Sequence, residues 1–465
     1  MSRAISLDPL TLACNWPAVL LGIAAAALAA ALLWIPGCLP VSIGAAVFTL
    51  SFLESECFFL VLIFLQPIDL VSSSIPLVSD ASLGVHALAV AGFFFGRMYR
   101  RQGRFLELWR ADATRASLFF VACIALSAAS GFPGLAHEKV RGLYFVAAYF
   151  GFYLLAATWL STAERKCKAL RALLTSTVLV GIFAFVQVTA QSYTGLYTLL
   201  YELISDEWKG RPPAFLPGPN ALAGYLNLIL PFAIAVCALS REARWKRLAG
   251  AVVVIGAVSL LLTQSRGGYI AFAATVIVAI WHFARDHKRR IVLLLIVALV
   301  GSTFYAALLE WNPRHFGEFE DDHSTLARVI LWYAAWNLFL ASPVHGIGFG
   351  TFNFVSENYL PAIADLPENL GVHNIYLELL AEVGVLGLLS FLTVAHLGIR
   401  RARKLCQHGD WFQHAIGFGA ACGMTAVLVG GFVDHNVLWA PQIGLLFWLW
   451  LAMVSAAPTR GERSA

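Results

Sequence analysis

The residues of this chain best suited to chemistry are a few arginines and one histidine, each standing where an apolar stretch begins. Arg211 opens Arg211-Pro-Pro-Ala-Phe-Leu-Pro-Gly-Pro219-Asn220, a proline-stiffened approach to a helix that Asn220 can cap. Arg266 stands in Gln264-Ser265-Arg266-Gly267-Gly268, between two apolar runs, where the two glycines permit a tight reversal. Arg141 marks the start of another apolar run, and Arg328 lies in a long connection further on. Guanidiniums engage phosphate oxygens bidentately and helix N-termini favour anions, so together these groups suit a diphosphate. His373 leads His373-Asn374-Ile-Tyr376-Leu-Glu378-Leu-Leu-Ala-Glu382. A helix N-terminus and nearby guanidiniums both disfavour imidazolium, which keeps such a histidine neutral and able to take a proton as a general base. Glu378 and Glu382 are one turn apart inside an apolar run, where an ionisable group marks a functional candidate by the cost of its burial. The plainer readings are an interfacial anchor for Arg266, a capping role for His373 and an ion-pair partner on another helix for Glu382.

The elements that must position these residues are membrane helices. Of 465 residues, 59% are hydrophobic and 13% charged, outside the range of ordinary soluble domains. Runs near the roughly 20 apolar residues needed to cross a bilayer recur along the whole length. They predict spans at 17–35, 41–53, 56–67, 83–97, 115–131, 141–160, 169–190, 219–238, 247–263, 267–284, 291–308, 373–397, 413–433 and 437–456, an all-α polytopic bundle of 12 to 14 helices. The number is open because Glu54, Glu56 and Pro67 break up the region 41–67. The first 35 residues read as a retained helix rather than a cleaved signal peptide.

Orientation follows from the basic residues. Alternate loops collect Lys and Arg, at 97–115, 165–171, 241–247, 285–290 and 400–404, and these are expected to be cytoplasmic, as are both termini. Outside them and the termini remain Lys139, Arg141, Lys209, Arg211, Arg266, Arg314 and Arg328, all expected at the outer side. Basic residues placed against the bias call for an anionic partner, although Lys139, Lys209 and Arg314 read equally as ordinary loop charges.

Three outer segments exceed simple connectors: 132–140, 191–218 and 309–372. The last contains an amphipathic pattern from Leu326 to Leu340, with Ile330, Leu331, Ala334 and Leu338 on one stripe, suited to lying at the lipid headgroups. Its acidic run Glu318, Glu320, Asp321 and Asp322, with His315 and His323, offers hard oxygen ligands but reads more simply as a solvated loop. Gly346-Ile-Gly348-Phe-Gly350 follows no strand, so it is expected to be a tight, mobile connector rather than a nucleotide loop. Asp434-His435-Asn436 reads as a turn that either supports the site or merely spaces two helices. No two of the eight cysteines are spaced as CxxC, so neither a disulfide framework nor a zinc site is indicated.

With these residues in order, the chain resembles the O-antigen ligase and polymerase superfamily of bacterial envelope glycosyltransferases. The resemblance is carried by Arg211 with Pro219-Asn220-Ala-Leu-Ala-Gly-Tyr-Leu and by Ser265-Arg266-Gly267. It continues through Arg328 with Trp336 and Pro343-Val-His-Gly346-Ile-Gly348-Phe-Gly350-Thr-Phe352, and ends in His373-Asn374-Ile-Tyr376-Leu-Glu378 through Glu382-Val-Gly384. It implies a polytopic fold of the lipid-linked-sugar (GT-C-like) type with a large periplasmic loop. Residues 135–400 would be the catalytic region, 1–134 the N-terminal helices, and 401–465 the C-terminal helices and a cytoplasmic tail. The implied reaction moves a glycan from undecaprenyl diphosphate to an acceptor hydroxyl, on lipid A-core in a ligase or on another lipid-linked repeat unit in a polymerase. Arg211 and Arg266 would hold the diphosphate and His373 would activate the acceptor. Arg141, Arg328, Asn220, Asn374, Tyr376, Glu378 and Glu382 would contribute to substrate binding. Neither metal nor cofactor is implied, and among partners only the glycans and membrane lipids, with no nucleic acid. A transporter is the rival from another class, disfavoured because the halves show no internal repeat and the charges gather at one side.

Overall fold

The structure, a computed structural model, describes residues 46–53, 56–67, 81–99, 109, 111–131, 134–191, 211–283, 286–311, 323–359, 371–408 and 410–455. The expected first helix 17–35, Lys209, Arg314, His315 and the acidic run 318–322 lie outside these. Within them all regular secondary structure is helical, with no strand. In order the helices are α1 (Glu56–Leu65), α2 (Ala81–Tyr99), α3 (Asp112–Ser130), α4 (Ala136–Trp159), α5 (Ala163–Gln191), α6 (Pro219–Leu239), α7 (Ala243–Leu262) and α8 (Arg266–Phe283). They continue as α9 (His287–Trp311), α10 (His323–Ala341), α11 (Phe352–Val355), α12 (Ile375–His408), α13 (Trp411–Gly430), α14 (Asn436–Trp439) and α15 (Pro441–Ser455).

Seven of these helices, α3 to α7, α12 and α13, are long and apolar enough to cross a membrane, and several shorter apolar helices accompany them. Large apolar side chains such as Val254, Ile270, Trp281 and Leu299 stand more than half exposed, a surface that lipid rather than water covers. The protein is therefore a multi-pass membrane protein. Apolar runs predict the long described helices but cut them short at the basic ends; they miss the short α11 and join α14 and α15 into one span, 437–456, which the structure breaks at Ala440. Helix α5 starts at Ala163 rather than 169 and α12 runs on to His408 rather than 397. Lys and Arg there snorkel from a helix that continues past the hydrocarbon edge.

The bundle centres on α6, most of whose residues are buried. Two glycines of α13 let the helices meet: a Cβ at Gly419 would come 2.6 Å from that of Phe232, and one at Gly423 3.2 Å from Leu228. The Tyr225 hydroxyl and the Leu228 carbonyl, both buried on α6, are satisfied across helices. The Tyr225 hydroxyl pairs with Thr177 at 2.7 Å, and the Trp450 indole donates to the Leu228 carbonyl at 3.0 Å, close to Pro231.

The bundle has two chemically distinct ends. At one, Arg171 lies 4.9 Å over Trp245, which packs against Trp411 at the start of α13, so basic loops gather there. At the other, the first turns of α6, α8 and α12 meet around one cavity.

Helix α10 occupies the predicted 326–340 stretch, but its Leu331, Ala334, Ala335 and Leu338 stripe faces protein instead of lipid headgroups. It forms a small core with Ile347, Phe352, Val372 and Ala381. The opposite stripe, Leu326, Val329, Tyr333, Trp336 and Leu340, is the exposed one.

Helix α12 is broken at Gly384, where φ is 72° and ψ −171°. The break releases main-chain groups inside an apolar environment, and residues 343–348 satisfy them. Val385 N–H donates to Pro343 (2.9 Å), while Ala381 and Glu382 carbonyls accept from Ile347 and Gly348 N–H (both 3.0 Å). A side chain at 384 would be strained, and its Cβ would fall on the Val344 carbonyl. Gly384→Ala is expected to lower the thermal unfolding midpoint of the detergent-solubilised protein, a loss of about 1–3 kcal/mol. Gly250→Ala, where a Cβ meets nothing within 4 Å, should leave the midpoint unchanged or raised. Equal midpoints for the two variants would contradict this account.

Candidate active site

At the non-basic end, Arg211 is fixed from two sides. Its Nε donates to the Thr263 carbonyl that closes α7 (2.8 Å), and an Nη donates to Asn220 Oδ1 in the first turn of α6 (3.1 Å). Both acceptors are neutral. Burial pulls Arg211 below the usual arginine value; Tyr269 opposes that pull, and the like charges of Arg266 and Arg328 add to it. Three guanidiniums therefore share one partly buried region.

Arg266 begins α8, which Ser265 caps by accepting from Gly268 N–H at 3.2 Å. The reversal before it is made by Gln264, with φ at 49°, and not by the glycines, which correct the expectation by serving packing. A Cβ at Gly267 would come 2.6 Å from Val433, and one at Gly268 2.6 Å from Ala223. Helix α6 opens at Gly218 and Pro219 with no side-chain cap, so its first N–H groups are left for another acceptor. The cavity where these turns meet measures about 50 Å³ and is lined by Asn220, Ser265, Asp434 and Asn436 among glycines.

His373 sits just before α12 in the left-handed region, φ 50°. Its ring centroid is 4.7 Å from that of His435. Burial first, then the charges of His435 and Arg328, push its pKa down to about 3. Trp332 of α10 holds the segment by donating to the Val372 carbonyl at 3.0 Å.

His435, which the sequence leaves as support or spacer, joins the candidate site. Its Nδ1 meets Glu378 Oε2 at 2.7 Å, and the Trp439 indole donates to the other Glu378 oxygen. Burial alone would lower the pKa of His435; the charge and hydrogen bond of Glu378, with Asp434 and Glu382 behind, outweigh it and raise the value. Neighbouring Asp434 is raised by its burial, against the pull of His435, the Asn436 and His435 N–H groups and Arg328. Thus Arg328 lies within electrostatic reach of Arg211, His373 and Asp434 together.

The other predicted residues support the site from behind. Asn374 caps α12, accepting from Tyr376 and Leu377 N–H (3.0 and 3.1 Å), and donates to the Phe432 carbonyl at 3.1 Å. Tyr376 donates its hydroxyl proton to the Leu428 carbonyl. Glu378 is buried with both oxygens engaged. Among the described residues Glu382 pairs with no arginine: its carboxyl group accepts from Gly350 N–H (2.9 Å) and Phe352 N–H (2.7 Å). Hydrogen bonds of this kind contribute roughly 0.5–1.5 kcal/mol each. The glycine segment is accordingly anchored, not mobile. Gly346, Gly348 and Gly350 take φ of 70°, 114° and 88° to turn their amides toward α12, and Phe349 stacks on Trp439 at 4.7 Å and 11°. Arg141 pairs with Glu138 at 4.0 Å and lies 5.7 Å over Phe145, on the Trp439 side.

Residues 221–392 match the family model described as O-antigen ligase. The chain carries an O-antigen ligase domain. No curated protein matches the chain. The site extends beyond the matched O-antigen ligase segment on both sides, since Arg211 precedes it and Asp434, His435 and Trp439 follow it.

The histidine pair sets a pH dependence. An unfolded histidine titrates near 6.5, so below that the unfolded chain takes up a proton that folded His373 refuses until about pH 3. His435 acts in the opposite sense, its contribution being lost as pH rises through its raised value. The unfolding midpoint is expected to fall as pH drops from 6.5 toward 4, and to fall less steeply in His373→Gln. Identical slopes in the two proteins would remove the buried neutral imidazole from the account.

Proposed function

We propose that this end of the bundle faces the periplasm of a bacterial inner membrane and transfers a glycan from undecaprenyl diphosphate to an acceptor hydroxyl, as an O-antigen ligase acting on lipid A-core. The observation that carries the reading is that Arg266 and Arg328 both act on Arg211, and Arg328 also on His373, at the end opposite the basic loops. Basic loops favour the cytoplasm, which turns the site outward. The matched O-antigen ligase segment supports lipid-linked glycans as substrates. A bundle of this kind is then a glycosyltransferase of the GT-C type.

In the reaction, the acceptor oxygen attacks the anomeric carbon of the donor sugar. The bond from that carbon to the diphosphate oxygen breaks, and its electron pair leaves with undecaprenyl diphosphate. The three guanidiniums and the uncapped start of α6 stabilise the charge that develops there. The acceptor proton passes to His373. At a pKa of about 3 the imidazole is neutral but a weak base; a diphosphate beside Arg328 offsets one of the charges that depress it, so its basicity rises when donor is bound. Glu378 orients His435 against His373.

The test is glycan transfer by the purified, reconstituted protein from an undecaprenyl-diphosphate-linked donor. His373→Ala and Arg266→Ala are expected to lower the rate by roughly 10²–10³-fold with membrane insertion unchanged. Arg266→Lys keeps the charge but not the bidentate geometry and should also be impaired. Wild-type rates in these variants would refute the assignment. Product analysis fixes the acceptor: loss of a ligase strands long chains on the lipid carrier, whereas loss of a polymerase leaves single repeats attached.

A further inference from the structure

At the opposite, basic end, three helices bring together a set of side chains that glycan transfer does not use. His282 closes α8, Cys406 lies in the last turns of α12, and His414 in the first turn of α13. The two imidazole Nε2 atoms face each other at 3.2 Å, and one ligand atom from each of the three residues lies within 4.8 Å of the others. Around a tetrahedral zinc ion with Zn–N bonds of about 2.0–2.1 Å, two nitrogens are roughly 3.3–3.4 Å apart. The pair is spaced as two ligands of one ion. A histidine–histidine hydrogen bond would account for that spacing alone, but not for a thiol brought to the same point.

The surroundings hold this arrangement in place. Asp410 caps α13, accepting from Phe412 and Gln413 N–H at 3.0 and 2.8 Å, which fixes the turn that carries His414. Gly417 lets α12 and α13 close: a Cβ there would come 3.0 Å from Cys406 Sγ and 2.9 Å from the Leu405 Cβ. Phe418 packs 5.6 Å from the His282 ring. Among the described residues, the hydrogen bond that Cys406 Sγ makes is to the His414 carbonyl at 3.8 Å, a long contact that a metal bond readily replaces.

We propose that His282, Cys406 and His414 form a zinc site that ties the ends of α8, α12 and α13. Two imidazole nitrogens and a thiolate are the donors a borderline-soft ion takes, and the fourth position is left for water. Binding displaces the Cys406 thiol proton to solvent, and each histidine binds as neutral imidazole. The CxxC spacing rule could not find the site, because its ligands come from three helices far apart in sequence.

The test uses the full-length protein purified in detergent without a polyhistidine tag, stripped with a chelator and titrated with Co²⁺ and then Zn²⁺. One ion per chain is expected, with a thiolate-to-cobalt charge-transfer band and the visible bands of a four-coordinate ion, both abolished by zinc. His282→Gln should weaken binding more than about tenfold, and Cys406→Ser should do so and erase the charge-transfer band. His373→Gln, at the far end, should still bind one ion. Unchanged glycan transfer by the Cys406→Ser protein shows that it is folded. Absence of the thiolate band in the wild type, or equal zinc affinity in wild type and Cys406→Ser, would overturn the proposal.

Discussion

Like charges gathered in one partly buried place repel, and that repulsion governs the rest of this structure. Arg211 is bonded to a carbonyl and an amide oxygen, and Arg266 and Arg328 add their fields to it. Such a grouping becomes favourable when an anion sits among the guanidiniums. The elements around it keep the three apart yet convergent: α7 ends on Arg211, α6 supplies Asn220, α8 starts with Arg266 and α10 carries Arg328. A diphosphate has the charge and the number of oxygens for three forked donors.

The second half of the site depends on a broken helix. Because α12 opens at Gly384, residues 343–352 can replace the missing turn, and Glu382 holds them with both of its oxygens. That places Phe349 under Trp439, Trp439 on Glu378, Glu378 on His435 and His435 beside His373. An irregular main chain at this depth is tolerated because it is buried in protein with its polar groups bonded. The two halves meet where Arg328 acts on both Arg211 and His373.

Much of this was legible in the sequence, and the remainder was hidden for physical reasons. Apolar runs marked the helices because hydrocarbon admits little else, and arginines standing outside the basic loops marked the candidate site. What periodicity cannot reveal is which of several roles a residue takes once helices pack. Gly267 and Gly268 read as a turn but serve close approach; Glu382 read as a substrate or arginine ligand but bonds main chain. The glycine segment read as mobile because its partner, a buried carboxylate, is some thirty residues away. His435 was undervalued since only the fold sets it against His373, and the His282, Cys406 and His414 group was invisible for the same reason. Cys57 is disulfide-bonded, which the cysteine spacing did not indicate.

The most direct test of the central claim is an experimental structure of the protein with undecaprenyl diphosphate bound. The account predicts the diphosphate within hydrogen-bond reach of Arg211, Arg266 and Arg328, with His373 on the side where an acceptor would enter. A diphosphate lodged elsewhere in the bundle, or contacting none of these guanidiniums, would contradict it.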